Sequence, residues 1–107
     1  YSLADRGLRL DEAEALIARA HELLPDDAFI LDSLGWVRFR LGDAAGALAH
    51  LERAYTIRQD AEIAAHLGEV LWALDRREDA NRIFDEARQA HPDNSLLADT
   101  VRRLRGR

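Results

Sequence analysis

One dipeptide recurs at a fixed interval and constrains the fold more than any other feature. Leu34-Gly35 and Leu67-Gly68 stand 33 residues apart. Setting Gly35 on Gly68 also brings Leu31 onto Ala64, Ala47 onto Ala80, Leu51 onto Phe84 and Ala54 onto Ala87. Small positions fall on small ones and apolar on apolar, so one duplicated unit accounts for all of them. A period of this length predicts a stack of supersecondary units, each burying its apolar face on the next.

The frame extends both ways. Upstream it sets Ala13, Ile17 and Ala20 where Ala47, Leu51 and Ala54 stand, followed by Pro25-Asp26-Asp27; downstream, His91-Pro92-Asp93-Asn94 closes the second unit. The expected organisation is a single domain over residues 1–107: a truncated unit at 1–27, whole units at 28–60 and 61–94, and a capping helix at 95–107.

Composition makes the units helical. Two prolines and six glycines in 107 residues, with abundant Ala, Leu, Arg and Glu, favour an all-α chain. Leu31, Leu34, Val37 and Leu41 recur at three and four residues, the stripe of a helix from about Ala28 to Leu41. Gly42-Asp43 ends that helix and caps the next, from about Ala44 to Arg58, with Ala47, Leu48, Leu51, Ala54 and Tyr55 inward. The second unit is expected to repeat this with a helix from about Ala61 to Leu74 capped by Asp60. A helix from about Arg76 to Ala90 follows, with Asp75 and Glu78 read as a capping-box variant. Asp11 to Leu24 reads as a second-position helix whose partner is reduced to Tyr1–Arg6, and Asn94 or Ser95 caps a last helix to about Leu104.

Charge and residue usage exclude several functions. A net charge of −5 provides no overall basic field for nucleic acid or an anionic membrane. The local exception, Arg102, Arg103, Arg105 and Arg107, suits a helix C-terminus. Cysteine is absent, which removes disulfides, thiolate catalysis and thiolate metal sites. No apolar run approaches the ~18 residues of a membrane span. Every basic residue besides histidine is Arg, a usage that fits a GC-rich bacterial genome.

Leu31-x-x-Leu34-Gly35 followed by Ala47, Leu51 and Ala54 resembles the tetratricopeptide repeat, as does Ala64-x-x-Leu67-Gly68 followed by Ala80, Phe84, Ala87 and Pro92. The resemblance implies a right-handed superhelix of antiparallel helix pairs and a protein-interaction scaffold. Three departures stand out: Arg38 occupies a position where the family usually has an aromatic, Gln59 replaces the closing Pro, and the first unit is one residue short. The wording Asp32-Ser33-Leu34-Gly35-Trp36 and Ala64 to Trp72 also resembles the C-terminal repeats of bacterial outer-membrane lipoproteins, some of which are adaptors for periplasmic proteases.

The family's first helices line a concave groove for peptides. By position this implies Phe29, Asp32, Ser33, Trp36, Phe39 and Arg40 from the first unit, and Glu62, Ala65, His66, Glu69 and Trp72 from the second. Tyr1 and Asp5 would join from the truncated helix, Asp99 and Arg103 from the last. Aromatics beside acids would suit an apolar segment carrying Lys or Arg. The bland readings stay open: Trp36 and Trp72 as packing, and Asp32, Glu62 and Glu69 as solvated helix charges. The Lys and Asn residues with which some members clamp a C-terminal carboxylate have no counterpart here.

Glu62, His66 and Glu69 share a helix face at the spacing that metal ligands on one helix require, without a second-shell pattern; a hydrogen bond across the groove is the simpler role for His66. His91 beside Pro92 marks a helix end, where a cationic His is mildly favoured, and Ser2, Ser33 and Ser95 have no base at a meaningful spacing. No nucleophile-elbow, phosphate-loop or dinucleotide motif is present, so neither catalysis, a cofactor nor a metal is expected. The alternative to a peptide adaptor is a structural or self-associating module, suggested by Leu16, Leu23 and Leu24 on a helix short of its partner.

Overall fold

The computed structural model describes residues 10–106. Six α-helices lie among them: α1 Leu10–Leu23, α2 Ala28–Arg40, α3 Ala44–Ile57, α4 Ala61–Ala73, α5 Arg77–Ala90 and α6 Ser95–Arg105. The expected partner helix at Tyr1–Arg6, with Tyr1 and Asp5, falls outside the described residues.

Each unit opens on a capped helix. The Asp27 carboxylate accepts from the backbone N–H groups of Phe29 and Ile30, both at 3.0 Å; Asp60 accepts from those of Glu62 and Ile63; and the Asn94 side chain accepts from Leu97. These side chains satisfy donors that the first turn of a helix leaves without intrahelical partners. At the end of α2, Gly42 takes a left-handed φ of 92°, while its N–H bonds to Phe39 and that of Asp43 to Arg38. Asp43 then caps α3 through the Gly46 N–H at 2.9 Å.

The second unit departs from the expectation at this turn. Asp75 does not cap α5: it sits where Gly42 sits, at φ 62°, with its N–H bonded to Trp72 and that of Arg76 to Leu71. The same Schellman closure must be made, and the aspartate adopts the left-handed geometry that glycine supplies in the first unit. Helix α5 therefore starts at Arg77 with Arg76 as a cap lacking a side-chain bond, and the Arg76 guanidinium pairs with Asp79 instead.

Packing alternates as the period requires. Helices α2 and α3 form one antiparallel pair and α4 and α5 the next, while α2, α4 and α6 touch in succession as a layer of first-position helices. One apolar cluster runs through these pairs, with Leu31, Leu51, Ile63 and Phe84 at its centre. A second, smaller cluster joins α1 to α2 through Ala13, Val37, Leu10 and Ile17. The expected stripe on α2 ends early, since Leu41 is exposed beyond the last turn.

Arg38, where the family usually has an aromatic, does not pack as one. Its guanidinium spans Glu14 on α1, at 2.6 Å, and the capping carboxylate of Asp43, at 2.7 Å. The Glu14 contact foremost, and then Asp43, pushes the Arg38 pKa further upward, and Arg38 in turn holds Asp43 below the usual carboxylate range.

Candidate functional site

The layer of α2, α4 and α6 brings residues about one unit apart into contact. Asp32 and His66 are 34 residues apart in sequence, yet His66 Nδ1 lies 2.8 Å from Asp32 Oδ1. Asp32 is only 1% exposed, so it is not the solvated helix charge that its position allowed. A carboxylate so deeply buried is costly unless a partner compensates it, and His66 is placed to do so. Glu69 and Arg103 repeat the pattern, again 34 residues apart, as a bidentate pair between α4 and α6. That pairing raises the Arg103 pKa.

Aromatic rings complete the surface over α2 and α4. Trp36 stacks on the His66 imidazole, centroids 4.2 Å apart and planes 19° apart, and the Phe39 ring lies 5.3 Å from it. Trp36 and Phe39 are both half-buried, and Phe39 rests on the main core. Trp72 is half-buried against the same core and is covered by the Arg77 guanidinium, 4.8 Å from its ring. Geometry of this kind is a cation–π contact, which occupies part of the ring a ligand would use.

The remaining expected residues are spread more widely. Phe29 is exposed beneath the Arg58 guanidinium, and Arg40 is exposed at the end of α2. Ser33 and Glu62 are half-buried. Asp99 is exposed and pairs with Arg102 along its own helix. Ala65, expected in the groove, belongs to the core at 1% exposure.

Glu62, His66 and Glu69 do not assemble as a ligand set, because Glu69 is engaged by Arg103. Asp32 joins Glu62 and His66 in its place, with one donor atom from each residue within 4.8 Å of the others. Spacing along one helix could not reveal this, whereas a search for titratable pairs 34 residues apart, one more than the period, would have found both Asp32 with His66 and Glu69 with Arg103. Arg77 over Trp72 follows from no such spacing.

Residues 38–104 match the family model for the tetratricopeptide repeat. The chain belongs to the tetratricopeptide repeat family. Over 69 residues, 64% of its length, it is 52% identical to a TPR repeat-containing protein of Pseudomonas aeruginosa, and it covers 12% of that relative. The NMR structure of the first TPR domain of the human RPAP3 protein superposes with a TM-score of 0.79 at 18% identity, over 97% of this chain and 87% of that one. This second likeness concerns the fold. Tetratricopeptide repeats generally mediate protein–protein interactions, and here the repeat geometry places Trp36, His66, Glu69 and Arg103 on adjacent first-position helices. No helix among the described residues is long and apolar enough to cross a membrane.

Proposed function

We propose that this tetratricopeptide repeat region is an adaptor that holds a segment of a partner protein across the face of α2, α4 and α6. The observation that carries the reading is the aromatic shelf of Trp36 and Phe39, half-buried and fixed in place by the His66 stack. Rigid rings of this kind give large contact area at little entropic cost, and they dominate binding energetics at interfaces. Phe29, Ser33, Arg40, Glu62, Glu69, Trp72, Asp99 and Arg103 form the remainder of the proposed surface, with Asp32 buried beneath it. Their carboxylates are partly answered from within the chain, by His66 and Arg103. An apolar partner segment with few charges therefore suits the shelf better than a strongly basic one. The resemblance to outer-membrane lipoproteins adds a periplasmic placement, and no enzymatic step belongs to the reading.

Affinity capture with the full-length parent, run separately on periplasmic and cytosolic extracts, tests both parts. Trp36→Ala should lower recovery of the partner at least tenfold while helicity by circular dichroism is kept. Unchanged recovery removes the shelf from the account, and recovery from cytosol alone removes the placement.

A second reading has its own observation: Leu16 and Leu23 on α1 are 64% and 76% exposed, and Leu24 beyond it 55%. Apolar side chains gathered along one helix favour self-association of the 107-residue chain. Light scattering at rising concentration should then show dimers that Leu16→Glu/Leu23→Glu dissolves; a monomer throughout counts against it.

A further inference from the structure

We infer that Asp32, Glu62 and His66 form a binding site for a divalent first-row transition-metal ion between α2 and α4. The site goes beyond the peptide-binding reading and does not rest on it.

The donor set comes from two helices. Asp32 lies in the middle of α2, while Glu62 and His66 stand four residues apart on α4 and so share one of its faces. One ligand atom from each falls within 4.8 Å of the others, and Asp32 Oδ1 and His66 Nδ1 are 2.8 Å apart. Ligands about 2.0–2.2 Å from a tetrahedral zinc ion are about 3.3 Å from one another. The cluster brackets that spacing, so a slight opening of the Asp32–His66 pair and a rotamer change at Glu62 would complete it. Glu62 is half-buried, the most accessible of the three.

Charge and burial point the same way. Two carboxylates and an imidazole stand together, and two of the three residues are over nine-tenths buried, Asp32 being 1% and His66 8% exposed. In surroundings of low polarity the attraction of such a pair of carboxylates for a dication is far stronger than at an open surface. Imidazole with carboxylates selects zinc and its first-row neighbours over the harder calcium and magnesium, which prefer oxygen alone. Trp36 stacked on the imidazole limits its rotation, as a supporting residue around a metal ligand does. Coordination would take three protein positions and leave the fourth to water on the open side.

The stack also supplies the reporter. The 107-residue chain, without a histidine tag and carrying Trp72→Phe so that Trp36 is the sole indole, is titrated with Zn²⁺ by calorimetry and with Co²⁺ by fluorescence. The expected result is 1:1 binding of both and quenching of Trp36 by Co²⁺. Glu62→Gln, a half-buried change that spares the core, and His66→Gln should each weaken binding at least tenfold, while His50→Gln leaves it unaltered. Absence of saturable binding overturns the inference, as does binding that survives Glu62→Gln and His66→Gln or is lost with His50→Gln. None of these results bears on partner capture, which is read separately on Trp36→Ala.

Discussion

Gly68 offers the sharpest test of how the units pack. A Cβ built on it would lie 2.8 Å from Phe84 Cδ1 and closer still to Cε1 and Cζ of the same ring. Ordinary contact begins near 3.4 Å, so the ring would have to retreat by at least 0.6 Å at Cδ1 and further at its tip. Phe84 is fully buried in the main core, so a retreating ring must displace packed neighbours. Overpacking of this kind costs about 1–3 kcal/mol, or more where the neighbour is a stiff ring. Against it stands the helix-propensity gain of alanine over glycine, about 1 kcal/mol. With the steric cost at or above the top of that range, Gly68→Ala should lose a net ~2 kcal/mol, a fall in Tm of about 8–15 °C for a domain of this size.

Urea unfolding followed by circular dichroism measures the loss as a shift of the midpoint at unchanged slope. A double-mutant cycle assigns it. The first unit sets Leu51 over Gly35, where a Cβ would still meet Leu51 Cγ at 2.7 Å, against a closer approach to Phe84 Cε1 in the second, so Phe84→Leu should ease the clash without removing it. The cycle should show a coupling of at least ~1 kcal/mol in favour of the double variant. A Gly68→Ala protein as stable as the parent, or a cycle additive to within ~0.5 kcal/mol, would refute the close approach of α4 and α5 as the reason for glycine.

Two further expectations follow from local structure. Asp75 holds a left-handed φ of 62° that costs a side-chain-bearing residue about 1 kcal/mol, so Asp75→Gly should raise stability by up to that amount in the same urea assay. A destabilised variant would mean that the Asp75 side chain contributes more than its backbone costs. Burial, and then the neighbouring His21 ring, lowers the pKa of His50 from 6.5; Arg38, Asp43 and Glu14 are the other charged groups acting on it. The unfolded chain then takes up this proton first, so stability is greatest above pH 6.5 and falls as the pH drops below it. Tm should be higher at pH 7.5 than at 5.5, with a smaller difference in His50→Gln; an equal difference in both proteins would acquit His50.

The 33-residue frame made the helix pairs, the caps at Asp43 and Asp60, and the small residues at Gly35 and Gly68 legible before any coordinates. These depend on backbone periodicity and local donors, which the sequence writes directly. Asp75 misled because a local motif, aspartate three residues before glutamate, competed with the frame, and the frame's demand for a left-handed residue prevailed. The site was legible only in part. Position within the repeat selected Trp36, His66, Glu69 and Arg103, but which of them touch depends on distances between helices that no single helix encodes.

The sequence by itself determined that this chain is a stack of antiparallel helix pairs of the tetratricopeptide kind, because period, steric size and capping chemistry act over a few residues at a time. Only the tertiary structure decided that Asp32 is buried beneath His66, that Trp36 stacks on that imidazole, and that Glu69 is taken by Arg103. Side chains one repeat apart meet or miss according to how successive pairs are rotated and spaced, and that is set by the whole core at once.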